Sequence, residues 1–236
     1  VGMLRSRGIG VNVGAPQIAY REFLNHPAEV DYTLDKQIGG ARPFARVKLR
    51  LEPNENSEGN EFASVIVGGS MPNEYILRIE EGVRSVWESG VLIGFPLIDT
   101  KVTLLEGAFH EANSSAIGFE VAARVAMKEG CEKAGVWVLE PIMDVEVVTP
   151  GDFVGGIIAT LNASRAYIRT IEMRHDNLTM IRANVPLANM FGYISLLRSR
   201  SEGRATHRMA FSHYQEVPHN ITSGPDTFPP AIGMRA

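Results

Sequence analysis

No stretch of 18 consecutive apolar residues occurs in this 236-residue chain, so no segment is long and apolar enough to cross a bilayer as a helix. Nor does a charged n-region precede an apolar h-region, the pattern of a secretory signal. Its single cysteine, Cys131, excludes an intramolecular disulfide and reads as a small buried apolar side chain in a reducing compartment. Positive charge is not in surplus: 23 Lys and Arg stand against 27 Asp and Glu, a net charge of −4. Any nucleic-acid contact must therefore come from a local patch. The glycine-rich phosphate loop Gly-x-x-x-x-Gly-Lys-Ser/Thr is missing, so the chain is expected neither to bind nor to hydrolyse GTP. His26, His175, His207, His213 and His219 show no His-x-x-x-His spacing, and no metal site is expected.

What is present is enough apolar material, 44% of residues, to build real cores in one large domain or two small ones. The chain opens on Val1, and Val1–Gly14 reads as the tail of a preceding unit, so a fragment of a longer protein is expected. Residues 17–24 and 45–51 read as strands; in the second, Val47, Leu49 and Leu51 alternate with Arg46, Lys48 and Arg50, the period of two of a half-buried strand. The polar stretch Pro53–Asn60 is a loop by composition. After Pro72, Ile76, Ile79, Val83, Val86 and Trp87 recur at helical spacing. A strand is expected over about Leu97–Leu105, and then a polar corner, Phe109–Ser115, in which Ser114 or Ser115 can cap the next helix. That helix, about Ala116–Lys133, is rich in Ala and Gly, as suits close packing on a sheet, and Gly135 is placed to end it.

The second half has a cleaner pattern. Met143, Val145 and Val147 alternate with Asp144 and Glu146; Thr149 is placed to cap a helix with Pro150 at its first position and Asp152 three residues from the cap. Phe153, Val154, Ile157, Ile158 and Leu161 form its apolar stripe, and Gly155-Gly156 inside it suggests close helix–sheet packing. His175–Asn177 is a turn before a strand in which Ile181, Ala183 and Val185 face inward. Leu187, Met190, Phe191, Ile194 and Leu197 mark a second helix, and Met209 and Phe211 a closing strand. A β-α-β-β-α-β order of this kind closes into an antiparallel sheet with both helices on one face. After Pro218 the chain carries Ser, Gly and Pro without periodicity and is expected to be disordered.

Several of these stretches form a signature. They are Asn12-Val13-Gly14-Ala15-Pro16-Gln17-Ile18-Ala19-Tyr20-Arg21-Glu22 and Val67-Gly68-Gly69-Ser70-Met71-Pro72-Asn73-Glu74-Tyr75-Ile76 in the first half. In the second half they are Leu139-Glu140-Pro141-Ile142-Met143-Asp144-Val145-Glu146-Val147, Val185-Pro186-Leu187-Ala188-Asn189-Met190-Phe191-Gly192-Tyr193, Leu197-Arg198-Ser199 and Gly203-Arg204-Ala205. In collinear order over roughly residues 10–218, they resemble the fourth and fifth domains of translation elongation factor G, the GTPase that moves tRNA and mRNA through the ribosome.

The resemblance implies an α+β chain of two domains: an elongated domain shaped like the anticodon arm of tRNA over residues 15–137, and a ferredoxin-like β-α-β-β-α-β sandwich over 138–218. Residues 1–14 would end a preceding domain, and 219–236 would form the disordered tail. The partner it implies is the ribosome, through rRNA and the A-site tRNA–mRNA region, with ribosome recycling factor as a further partner and no membrane. GTP and magnesium would belong only to an upstream domain, and this chain would hold no cofactor. The compartment would be the cytoplasm or an organellar matrix.

Two loops form the tip of the fourth domain in that family. One corresponds to Gly39-Gly40-Ala41-Arg42-Pro43-Phe44, where paired glycines admit close backbone approach and Lys36, Arg42, Arg46, Lys48 and Arg50 concentrate positive charge. By its residues alone this is either a solvated hairpin or a contact surface. The other loop corresponds to His110–Ser115, with His110 at the family's functional histidine; a loop histidine is either an ordinary surface residue or a group that stacks on a base or donates to phosphate. The candidate contact residues are Gly39, Gly40, Arg42, His110, Asn113 and Ser114.

Two departures stand out. The first tip loop has Ala41, Arg42 and Pro43 where the family usually has glycine and glutamine, and Asn162-Ala163-Ser164-Arg165-Ala166-Tyr167 replaces an arginine-rich stretch with a glycine. Besides translocation, the open alternatives are a divergent paralogue used for ribosome recycling or ribosome protection, and a stand-alone ribosome- or RNA-binding module without GTPase activity. An enzyme built on His110 and Glu111 is the weakest, since no second catalytic cluster accompanies them.

Overall fold

The structure is a computed structural model that describes residues 18–35, 43–54, 59–67 and 70–218. Its described residues form an α+β chain with two sheets and two main cores.

The first sheet has the order β2-β3-β5-β4, from β2 (Ala28–Leu34), β3 (Ala45–Pro53), β5 (Thr100–Ala108) and β4 (Glu61–Ser64). β3 lies antiparallel between β2 and β5, while β4 runs parallel to β5. The alternation in β3 does what its period demands: Ala45, Val47, Leu49 and Leu51 are buried, and Arg46, Lys48 and Arg50 take the other face. Over the buried face lie α1 (Asn73–Ser89) and α2 (Ala116–Ala134). The two helices touch so closely that a Cβ on Gly82 would lie 2.6 Å from the Glu120 carbonyl oxygen. Ser115 caps α2, its Oγ accepting the Gly118 N–H at 3.1 Å, and Gly135, at φ 72°, ends it. The strand expected from Leu97 starts only at Thr100. Asp99, at φ 49°, interrupts extended backbone, and Leu97 is instead tied to α1 by its N–H on the Trp87 carbonyl at 2.8 Å.

In the second sheet the long β6 (Val136–Pro150) is flanked by β9 (Thr206–Glu216) and β8 (Leu178–Pro186), with β7 (Tyr167–Met173) outside β8. Helices α3 (Val154–Ala163) and α4 (Tyr193–Arg200) cover one face, where Ile157, Leu161, Tyr193 and Leu197 meet Val145, Val147, Ile181, Ala183 and Val185. This is the expected ferredoxin-like arrangement.

Three local expectations fail here. Thr149 caps nothing: it is fully buried, paired with Thr179 in the β6–β8 ladder, and its hydroxyl has no partner. The strand runs on through Pro150, and a 3-10 turn, Gly151–Phe153, leads into α3. Gly155 and Gly156 do not touch the sheet; both are exposed with open space where a Cβ would sit, because Ile157 and Leu161 take the buried side. The apolar run at 187–197 is a 3-10 turn, Leu187–Met190, and a separate helix joined through Gly192 at φ 80°. That break re-phases the stripe, so Tyr193 and Leu197 are buried while Phe191 and Ile194 stay 46% and 44% exposed.

β1 (Arg21–Leu24) links the two halves. Along one edge it pairs with residues 136–139 of β6; along the other, Glu22 N–H donates to Pro96 O and Glu22 O accepts from Ile98 N–H, both at 2.9 Å. A small third core of Tyr20, Phe95, Val138 and Val217 fills the joint, and Tyr20 meets Phe95 edge-on at 5.5 Å. Beside it the buried Glu140 carboxylate takes the Arg165 guanidinium at 2.6 Å. Burial, then the negative charge of Glu140, push the Tyr20 hydroxyl above its ordinary pKa.

Candidate nucleic-acid interface

The register Arg46↔Ala108 between β3 and β5 brings the start of one strand beside the end of the other. The chain entering β3 and the chain leaving β5 must therefore emerge together at one end of the first domain. The second of them is the polar corner Phe109–Ser115, and it meets Phe44 directly. Phe44 N–H donates to Asn113 O at 3.1 Å, and Ser114 Oγ–H donates to Phe44 O at 2.6 Å. The same Ser114 oxygen accepts the His110 N–H at 2.9 Å. The corner also closes on itself, since His110 O accepts from Asn113 N–H at 3.2 Å and Ser114 N–H at 2.9 Å. The His110 ring lies against the Phe44 ring, centroids 4.2 Å apart and planes tilted by 44°.

Of the six residues expected at the tip, the structure thus gathers three in one corner: His110 and Asn113 exposed, Ser114 half-buried. Gly39, Gly40 and Arg42 lie outside the described residues, as does Lys36. Phe44 is the partner that sequence reasoning passed over, having served only as the end of the first loop. An aromatic residue just before a strand gives no signal of which distant ring it will meet.

Of the five bases expected to concentrate positive charge by the first loop, Lys36 and Arg42 lie outside the described residues, and Arg46, Lys48 and Arg50 are each paired with a carboxylate. Arg46 pairs with Asp31 through two bonds of 2.9 and 2.5 Å and reaches Glu106 at 3.4 Å. Lys48 meets Glu106 at 3.2 Å, and Arg50 meets Glu29 at 2.9 and 2.5 Å. Hydrogen bonds from Arg46 and Arg50 hold the carboxyls of Asp31 and Glu29 below the usual carboxylate range. The rungs Asp31↔Lys48 and Glu29↔Arg50 explain the neutralisation: the acids of β2 stand opposite and diagonal to the bases of β3. That face is a solvated ion-pair ladder. Among the described residues no group of three His, Cys, Asp or Glu is placed to hold a metal ion.

A chain with this fold and tip has extensive relatives. Residues 16–135 match the family model for elongation factor G, domain IV, and residues 137–224 match that for the elongation factor G C-terminus. The chain is 54% identical over 220 residues to elongation factor G of Paracoccus denitrificans (strain Pd 1222), covering 93% of this chain and 31% of that protein. Elongation factor G of Rhodopseudomonas palustris (strain BisB18) is 51% identical over 219 residues, 93% of this chain and 32% of that protein. A crystal structure of a Thermus thermophilus protein superposes with a TM-score of 0.78 at 35% identity, over 93% of this chain and 33% of that one. The chain spans about a third of the length of the curated relatives it matches.

Proposed function

This chain belongs to the elongation factor G family, and on that premise we propose that it is the ribosome-contacting C-terminal part of a translational GTPase. In this reading the tip that carries His110, Asn113 and Phe44, to which the family resemblance adds Gly39, Gly40 and Arg42, enters the decoding region of the small subunit and favours the moved state of tRNA and mRNA. The chain works by differential binding: a tip that fits only after the tRNA has moved lowers the free energy of that state and blocks return. GTP and its magnesium belong to the upstream part of the parent protein, and the second domain faces RNA of the large subunit.

The observation that carries the reading is the joining of Phe44 and His110 at one end of the first domain, in a chain whose two halves match the family in order. A ring on an exposed loop can stack on an unpaired base, a contact worth about 1–3 kcal/mol. His110→Ala, in a factor carrying this chain, is expected to slow tRNA–mRNA movement in stopped flow on the order of tenfold. GTP hydrolysis should be unchanged, and stability should stay within about 0.5 kcal/mol, as for other exposed substitutions. Unchanged movement rejects the tip assignment.

A further inference from the structure

We propose that Ser114 is a positioning residue: its hydroxyl ties Phe44 to the His110 corner so that the His110 ring is held on the Phe44 ring before any partner arrives. The proposal rests on the reading of the tip as an RNA contact only for what the held ring is for. A serine hydroxyl has one proton to donate and two lone pairs to accept with. Here the proton goes to Phe44 O at 2.6 Å, and a lone pair takes the His110 N–H at 2.9 Å. Ser114 is half-buried, and its single donor is committed within the protein, so it is not a donor for phosphate.

The bonds form a short bridge. Phe44 is held through both of its backbone groups, N–H on Asn113 O and C=O on Ser114 Oγ, just where the β3–β5 ladder ends at Arg46↔Ala108. His110 is held by its N–H on Ser114 Oγ and by its C=O under two turn bonds. With both backbones fixed, the freedom left to the pair is rotation of two rings, and their contact at 4.2 Å restricts that too. Ordering a loop side chain on binding costs conformational entropy, so a ring already ordered binds more tightly at no added contact. Just beyond the bridge, Ser115 caps α2, which carries the order of the corner into a helix.

Two measurements on the intact 236-residue chain test this. In the first, NMR follows the ring-current displacement that Phe44 imposes on the His110 ring protons. Ser114→Ala should remove most of it, Ser114→Thr should restore it by returning the hydroxyl, and methyl signals of the core residues Leu49 and Val83 should stay in place. Phe44→Leu keeps the Ser114 bonds and should remove the displacement at an unchanged melting temperature. The second measurement is affinity for isolated small ribosomal subunits. Ser114→Ala and His110→Ala should each weaken binding about tenfold, and the double variant no further than the singles, the signature of residues acting through one another. A His110 displacement that survives Ser114→Ala, a Ser114→Thr chain that fails to restore it, or additive binding losses would each overturn the proposal. Wild-type chain that does not bind small subunits would reject the proposed function, while the NMR arm still decides the role of Ser114.

Discussion

The carboxylate of Glu22 accepts the backbone N–H of Val91 at 2.6 Å, within the first half of the chain and beside the β1–β6 pairing that joins it to the second. Four more N–H groups of the same loop, from Leu92, Ile93, Gly94 and Phe95, converge on it at 2.8 to 3.3 Å. Glu22 is fully buried, yet an acceptor-only carboxylate surrounded by five donors is satisfied without a cation. Gly90 is required beside it: at φ 65° a Cβ there would sit 2.0 Å from Phe95 O and 2.7 Å from the Glu22 carboxylate.

Glu22→Gln keeps the shape and replaces one acceptor oxygen by an NH2 group that faces donors. Hydrogen bonds to a charged group contribute about 1.5–3 kcal/mol each, and a buried donor left unmade costs about 1–3. The variant should lose about 3 kcal/mol in urea unfolding, with the Trp87 end of α1 loosening in hydrogen exchange. A loss below about 1 kcal/mol would show that the five N–H groups do not depend on the charge or the second oxygen of the carboxylate.

Thr149 separates two accounts of one residue. As a helix cap, its loss should cost about 1 kcal/mol. As a buried hydroxyl with no partner, its replacement by an apolar group of similar shape should cost nothing or stabilise. Thr149→Val is therefore expected to unfold at an equal or higher urea concentration, and a fall of about 1 kcal/mol would restore the cap.

Cys131 gives a pH dependence with a definite sign. Burial, with smaller contributions from Glu22 and Glu132, pushes its thiol from 9.0 up to about 12. The unfolded chain then releases this proton at lower pH than the folded one, so stability from the thiol is complete below pH 9 and falls as pH rises toward 12. Urea midpoints between about pH 8 and pH 10.5 should decline more steeply for the wild type than for Cys131→Ala. At about pH 8 the folded chain should resist a thiol reagent that modifies the unfolded chain quickly.

The loop 39–44 offers a test that its sequence alone defines. Pro43 fixes its own φ and biases Arg42 toward extended backbone, and Arg42 adds a fixed charge suited to phosphate. A parent factor carrying this loop should bind ribosomes with a steeper salt dependence, and translocate more slowly, than the same parent with the family's glycine–glutamine loop. Equal salt slopes and equal stopped-flow rates would make the departure neutral.

Much of this fold was legible along the chain because it follows short periods. The alternation from Ala45 to Leu51 named the buried face of β3, and Val145 and Val147 did so for β6. A polar corner before Ala116 placed the cap, settled as Ser115, and Gly135 placed the stop. His110, Asn113 and Ser114 could be singled out from a family resemblance that residue order alone carries.

Other features depended on partners distant in sequence. Whether Thr149 caps a helix or stays in a ladder depended on Thr179 continuing the β8 pairing, and that pairing won. Whether Arg46 and Arg50 offer free charge depended on Asp31 and Glu29 across the sheet. Glu22 read as one polar residue of a strand, and only the loop at 91–95 folding over it made it the anchor of the joint. The Phe44–His110 contact was decided in the same way, by the register that ends β3 beside β5. Periodicity and caps are set by neighbours within one turn or one pleat, which the sequence lists in order. A buried charge, an ion-pair ladder or a tip is set by groups that approach only after the backbone has paired, and those the tertiary structure alone decides.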